Sequence, residues 1–542
     1  MPVRPLAANP ALPAPNGPVV LCIMDGVGLG DGGEDDAVAT ARTPRLDALM
    51  REFPTARLKA HGTAVGLPSD ADMGNSEVGH NAMGCGRVFE QGAKLVDGAI
   101  ASGALWEQPL WRELCAAHTL HLVGLVSDGN VHCNVAHLDA LTARAAVEAA
   151  AAGARPDRRP RRALPAARCS SWSRSKGTLA QYREAGRDYR VASGGGRMRI
   201  TMDRYEADWP MVARGWATHV RAEAGGPRRA RRSGIPAHRG SRLTTSGSAV
   251  RGRRRPGELS PIRDGDAVLP FNFWGDRAIE LSRAFDDGDD FSAFDRGLRP
   301  DVLFAGMMEY DGDLHVPKRF LVPPPAIDRT VGEFLVASGK RTFACSETQK
   351  FGHVTYFFNG NRSGRLDEAL ETYVEVPSDT LPFQQRPWMK AAEITDAVVQ
   401  AIRSGDYDHV RLNFANGDMV GHTGDLEATR VAVEAVDLQI GRLWAAVKAV
   451  GGVLLVTADH GNADQMWQHD KRGAVQRDED GRPIARTSHS LAPVPLVVAD
   501  PARRVRLREG ADGTSIAAIG ATVLALCGLQ PPDDYLPALV EM

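Results

Sequence analysis

Long apolar runs are missing from this chain. No stretch approaches the roughly 20 apolar residues that a membrane-spanning helix needs, which sets a helical membrane protein aside. Cysteine is sparse: seven in 542 residues, an odd number with no C-x-x-C pair. Scattered reduced thiols are therefore expected, and no disulfide frame. Net charge is nearly absent at −2, which removes any general pull toward nucleic acid or a membrane surface. The proline-rich start, MPVRPLAANPALPAPNGP, lacks the apolar core of a secretory signal. Together these absences point to a cytoplasmic protein. What remains is an ordinary globular balance, 43% apolar and 24% charged. The chain is longer than one core usually serves, so two domains are expected.

Several short β-rich runs stop at polar clusters. PVVLCIM (18–24) runs into Asp25-Gly26, HVRLNF (409–414) into ANGDMVGH, and GGVLLVTA (451–458) into DHGNAD. VPLVVA (494–499) follows directly on RTSHSLAP. Such runs fit strands buried on both faces, as in a parallel sheet. Helical patterns lie between them, as in 425–450, where apolar residues recur every three to four positions. The expected fold is α/β: a mixed or parallel sheet core flanked by helices. In such a sheet the working site lies beyond the carboxyl ends of the strands. The polar clusters come from both ends of the chain, so residues 1–94 and 319–542 are expected to form one discontinuous domain. Residues 95–318 would be an inserted α/β domain.

Two middle segments stand apart. Residues 154–187 carry ten Lys/Arg against two acids, and residues 221–263 carry twelve Arg against two acids. Neither shows a usable apolar period, so neither is expected to form a packed element. Three readings compete: a nucleic-acid-binding tail, a solvated stretch, and translation out of frame in a GC-rich gene. The last is favoured, because misread GC-rich codons yield Arg, Ala, Pro, Gly and Ser.

The polar clusters carry the chemistry. Asp418 and His422 are four apart, which one helical turn or a tight loop can aim at a single point. His489 precedes a strand, Asp459 and His460 are adjacent at a strand end, and Asp25 ends the first strand. Three carboxylates and three imidazoles without thiolate suit Mn²⁺ or Zn²⁺. Two ions a few ångströms apart can hold the attacking and leaving oxygens of a phosphoryl transfer. Taken singly, each residue has an ordinary explanation: a turn aspartate, a surface pair, a structural histidine. Two roles also fit Ser76 in MGNSEVGH (73–80), a helix cap and a nucleophile. A divalent ion beside its hydroxyl would lower the hydroxyl's pKa, and on that ground Ser76 is read as the phosphate acceptor.

MDGVGLG, MGNSEVGH, NFANGDMVGHTG, TADHGNAD and TSHS, in that order, resemble the cofactor-independent phosphoglycerate mutases of the alkaline phosphatase superfamily. LVSDGNVH (125–132), ITMDRYEADW (200–209), FNFWGDRAIELSR (271–283) and ETQKFGHVTYFFNG (347–360) resemble that family's remaining signatures. The resemblance implies an alkaline-phosphatase-like core, with one metal held by Asp418, His422 and His489. The second metal would be held by Asp25, Ser76, Asp459 and His460. It further implies transfer of a phosphoryl group from 3-phosphoglycerate to Ser76 and back to the 2-hydroxyl of glycerate. This glycolytic and gluconeogenic isomerisation needs no bisphosphoglycerate cofactor, and the enzyme would be a monomer. His132, Arg204, Arg277 and Lys350 match substrate-binding positions; taken alone, His132 reads equally as a turn residue and the three cations as surface charge or salt bridges.

Some positions depart from the family. Where it carries a TDGRD-type segment, this chain has GARPDRRPRRALP, and Trp274 stands where a substrate-binding arginine is expected. The family's glycine-rich arginine falls on Arg197 or Arg199. An indole cannot replace a guanidinium, and losing one bidentate contact to a desolvated anion costs roughly 2–5 kcal/mol. The middle domain is thus expected to impair the mutase reaction. Two alternatives follow: a metal-dependent phosphohydrolase, in which water intercepts the phosphoserine, and a catalytically dead arginine-rich nucleic-acid binder.

Overall fold

The computed structural model describes residues 3–90, 92–127, 132–151, 179–182, 184–185, 189, 191–194, 200–201, 208–223, 261–273, 277–288, 291–310, 315–323, 327–470 and 472–542. The chain separates into two compact units, Met1–Gln91 with Ala326–Met542, and Gly92–Pro325. The sequence expectation put the boundaries at 94/95 and 318/319. The helix Gly92–Ser102 lies whole within the second unit.

The first unit is built on a seven-stranded sheet in the order 55–58, 494–499, 453–457, 19–24, 409–414, 342–347, 371–376. Its five strands from 453–457 to 371–376 are parallel. The strand Val494–Ala499 is antiparallel to its neighbours on both sides. The strands Val19–Met24, His409–Phe414 and Val453–Thr457 are buried along their whole length. Continuous Val, Ile and Leu runs permit this, since both sheet faces are covered. Each such side chain contributes roughly 1.5–3 kcal/mol by leaving water.

The helix Leu426–Val450 covers this sheet with Val433, Val436, Ile440, Leu443 and Val447, spaced three and four apart. Asp425 caps its start by accepting from Ala428 N, and Gly451, at φ 67°, ends it in the left-handed conformation. Among the described residues no helix is long and apolar enough to cross a membrane.

The second unit has a parallel three-stranded sheet, Leu120–Val123, Ala267–Pro270 and Leu303–Phe304. A second parallel pair is formed by Gly306–Met308 and Phe320–Val322. Trp111 and Phe271 lie at the heart of one apolar cluster, Trp216, Phe285 and Phe304 of another. Most of the two arginine-rich blocks lies outside the described residues. Their edges depart from expectation. Leu179 and Ile262 are buried, and Tyr182 stacks on Tyr189 at 4.9 Å. An apolar residue needs no periodic neighbours when a ready-made core receives it.

Candidate active site

Ser76 does not cap its helix. Asn75 does, accepting from Val78 N at 2.9 Å, and Ser76 is the first residue of the helix Ser76–Cys85. Its hydroxyl is therefore free to face the strand ends. All ten residues of this helix are buried. A side chain at Gly79 would meet the backbone oxygen of Asp459 at 2.6 Å, so only glycine lets the helix approach so closely.

Parallel strands end on the same side, and that brings distant residues together. Met24 pairs with Phe414 and Ile23 with Thr457, so Asp25, the short helix Asn416–Gly421 and Asp459-His460 emerge side by side. The strand Thr342–Glu347 delivers Lys350 from the next position. His489 precedes a strand, yet it arrives at the same edge because Val494–Ala499 runs the opposite way and starts where its neighbours finish.

The Ser76 hydroxyl donates to Asp25 Oδ1 at 3.1 Å and lies 3.0 Å from His460 Nε2. Lys350 Nζ donates to Ser76 Oγ at 2.5 Å, Asp25 Oδ1 at 3.0 Å and Asp418 Oδ2 at 2.8 Å. The opposite oxygen, Asp418 Oδ1, lies 3.1 Å from His422 Nε2 and 3.2 Å from His489 Nε2. Each outer histidine is oriented through Nδ1: His422 at 2.9 Å from Thr487 O, His489 at 2.7 Å from Gly74 O. A carbonyl only accepts, so Nδ1 carries the hydrogen and Nε2 is left as a donor for a metal.

Burial opposes the charge on Asp25, yet Lys350 and His460 outweigh it and hold this carboxyl well below the usual carboxylate range. Asp418 is likewise lowered against burial by His422 and Lys350. Asp459 goes the other way: burial, then the nearby Asp25, pushes it up to about 7. For His460 burial is outweighed by Asp459 and Asp25, which raise it to about 9. Lys350 is raised above its ordinary value by Asp25 and Asp418 despite its burial.

Two groups have the donors of a divalent-metal centre. Asp418, His422 and His489 each place one ligand atom within 4.8 Å of the others, and so do Asp25, Asp418 and His460. Asp418 belongs to both. Asp459 stands just outside the second group. Its Oδ1 accepts from Gly26 N and His460 N, while its buried Oδ2 makes no hydrogen bond and lies 3.4 Å from His80 Nδ1 and 3.9 Å from His460 Nε2. An orphaned carboxylate oxygen among imidazoles and two further carboxylates suits a cation.

Sequence reasoning passed over three side chains here. Asn413 donates to Asp25 Oδ2 at 2.8 Å, Asn462 to Asp418 Oδ1 at 2.9 Å, and His80 Nδ1 lies 2.7 Å from Ser76 O. All three sit in runs already singled out for their carboxylates, histidines or serine, and amides drew no notice because they do not titrate. In the second unit His132 is buried, its carbonyl accepting from Phe273 N at 3.0 Å. Arg277 is half-buried just before the helix Ile279–Asp286. Both follow carboxyl ends of parallel strands of that unit. Arg204, Trp274, Arg197 and Arg199 lie outside the described residues.

An α/β sheet whose strand ends carry paired carboxylate–imidazole clusters defines a metalloenzyme, and the family model described as the Metalloenzyme superfamily matches residues 17–531. A 2,3-bisphosphoglycerate-independent phosphoglycerate mutase of Trypanosoma brucei brucei is 49% identical over 99% of both chains. A probable 2,3-bisphosphoglycerate-independent phosphoglycerate mutase 2 of Arabidopsis thaliana is 45% identical over 99% of this chain and 98% of the relative. The crystal structure of Leishmania mexicana phosphoglycerate mutase at low cobalt concentration superposes with a TM-score of 0.90, at 45% identity over 99% of this chain and 100% of that one. The chain belongs to the 2,3-bisphosphoglycerate-independent phosphoglycerate mutases.

Proposed function

We propose that the chain interconverts 3-phosphoglycerate and 2-phosphoglycerate through a phosphoserine on Ser76, without a bisphosphoglycerate cofactor. The observation that carries this is the seat of the Ser76 hydroxyl, at the start of a buried helix with Asp25, His460 and Lys350 all within 3.1 Å of Oγ. Relatives matched over nearly their whole length bear the mutase name, and neither the hydrolase nor the nucleic-acid alternative has comparable support.

In the forward direction Ser76 Oγ attacks phosphorus. The Oγ–P bond forms, the ester bond to the 3-oxygen breaks, and that oxygen takes up the proton given up by Ser76 and leaves as the hydroxyl of glycerate. Asp25 accepts the serine hydrogen in the resting geometry, and the Lys350 ammonium donates to the same oxygen, easing the charge that develops there. Reoriented glycerate then presents its 2-hydroxyl to the phosphoserine; the bond from the 2-oxygen to phosphorus forms as the Oγ–P bond breaks, and the proton of the 2-hydroxyl is returned to Ser76 Oγ. His132, Arg204 and Arg277 are the residues we assign to gripping the substrate's phosphate and carboxylate, which forked guanidinium donors suit.

Two divalent ions complete the assignment, Mn²⁺ by preference and Zn²⁺ as the alternative. Asp418, His422 and His489 would hold one; Asp25, Ser76, Asp459 and His460 the other. When bound, such ions lower the hydroxyl's pKa and neutralise the transferring phosphoryl oxygens. We read the enzyme as a cytoplasmic monomer; its six described cysteines are all free.

The test is product analysis on protein supplied with Mn²⁺ and 3-phosphoglycerate. 2-Phosphoglycerate as product, with a phosphate trapped on Ser76 by mass spectrometry, is the expected result. Release of inorganic phosphate and glycerate alone would overturn the mutase assignment in favour of hydrolysis.

A further inference from the structure

The side chain of Asn413 is fully buried at the end of the strand His409–Phe414, and no step above uses it. Its amide nitrogen donates to Asp25 Oδ2 at 2.8 Å and lies 3.2 Å from His80 Nε2. The ring's other nitrogen, His80 Nδ1, is 2.7 Å from the backbone oxygen of Ser76. The direction of each bond follows from chemistry alone. An ionised carboxylate and a peptide carbonyl only accept. The amide must therefore turn its NH₂ toward Asp25, and His80 must carry its hydrogen on Nδ1. Nε2 is then left to accept the second amide hydrogen. A continuous relay runs from Asp25 through Asn413 and His80 to the backbone of Ser76.

We infer that Asn413 is a positioning residue that couples the metal-facing carboxylate of Asp25 to the nucleophile's helix. With Oδ2 engaged by the amide, Oδ1 is the oxygen turned to Ser76, Lys350 and His460. Asparagine suits this task because it supplies two donors from one planar group. Leucine has nearly the same shape and supplies none, so Asp25 could rotate and the His80 ring would lose its register. The inference rests on the proposed metal-dependent chemistry of the site.

The test is calorimetric titration of Mn²⁺ into metal-stripped protein, parent against Asn413→Leu, with melting of the metal-free forms recorded alongside. Outer-sphere partners of metal ligands typically control affinity by roughly 10–100-fold, and a weakening of that size is expected. Asn413→Ala, which shortens the side chain without adding bulk, carries the same expectation if the leucine variant does not fold. Parent-like Mn²⁺ affinity in the variant overturns the inference, even if its metal-free melting temperature falls, because a purely structural residue would move only the latter. Failure of the parent itself to bind Mn²⁺ is a different result: it overturns the underlying metal assignment.

Discussion

The two halves of the centre are constructed differently. Asp25, Asp418 and His460 are at most 2% exposed and hang from adjacent central strands. His422 and His489 have side chains 30% and 18% exposed, and loop carbonyls hold them in place. The inner group sits where water does not screen, so each charge there acts strongly on its neighbours. The outer pair sits at a rim, where the same geometry acts through a higher effective dielectric. A strong, fixed interior around Ser76 thus adjoins a more exposed edge.

The largest way to break this contrast is at its inner pole. Ser76→Ala removes the proposed nucleophile, and the mutase rate should fall on the order of a million-fold, as when other catalytic nucleophiles are removed; a variant with parent kcat would refute the assignment. Asp418→Asn comes next, because that carboxylate serves both groups. Breaking a buried charge arrangement costs about 3–5 kcal/mol, so a loss of roughly a hundred- to several-thousand-fold in rate is expected, read in the same assay. His422→Ala, at the rim, should cost at least about tenfold less than Asp418→Asn. Timed chelation should also release metal in two phases, and one uniform phase would erase the distinction between rim and interior. In the second unit, Arg277→Met should raise KM by about 30-fold or more, the low end for a lost contact to a desolvated anion, while the affinity for Mn²⁺ stays at the parent value.

The last effect bears on stability alone and comes from a buried carboxyl outside the centre. Burial raises Glu347 to about 7, and its partner Ser378 Oγ donates at 2.9 Å. The folded state therefore holds this proton more tightly than the unfolded chain. Stability from this group is present at low pH and is lost as pH rises from about 4.3 toward 7, by at most about 3 kcal/mol. Glu347→Gln should flatten that slope, which melting temperatures at pH 5 and pH 8 would reveal.

Much of the fold was legible, and for a local reason. Buried parallel strands read as unbroken apolar runs, and their polar ends mark the site edge, so Asp25, Asp418, His422, Asp459 and His460 could be picked out one at a time. His489 fell into the same set on residue type alone; that its strand runs antiparallel, and so begins at the site, is a property of sheet order. Lys350 alone reads as surface charge, but the structure buries it against Ser76. Ser76 and Asn75 both suit a cap, and the choice between them depended on which side chain had somewhere else to go. That Asp418 also falls among the closest donors to Asp25 and His460 was not legible in the motifs. Oxygens in such clusters are separated by less than the length of a side chain, a distance that spacing along a chain cannot resolve.

By itself the amino-acid order determined the class of fold, the family and the residue types of the centre, because strand runs, turn glycines and ligand motifs each span fewer than fifteen positions. Only the tertiary structure decided which oxygen faces which nitrogen, that Asn413 and His80 join Asp25 to the helix of Ser76, and that a lysine 274 positions from Ser76 donates to its hydroxyl. Those are contacts between strand ends, and they exist only after the sheet has been ordered and packed.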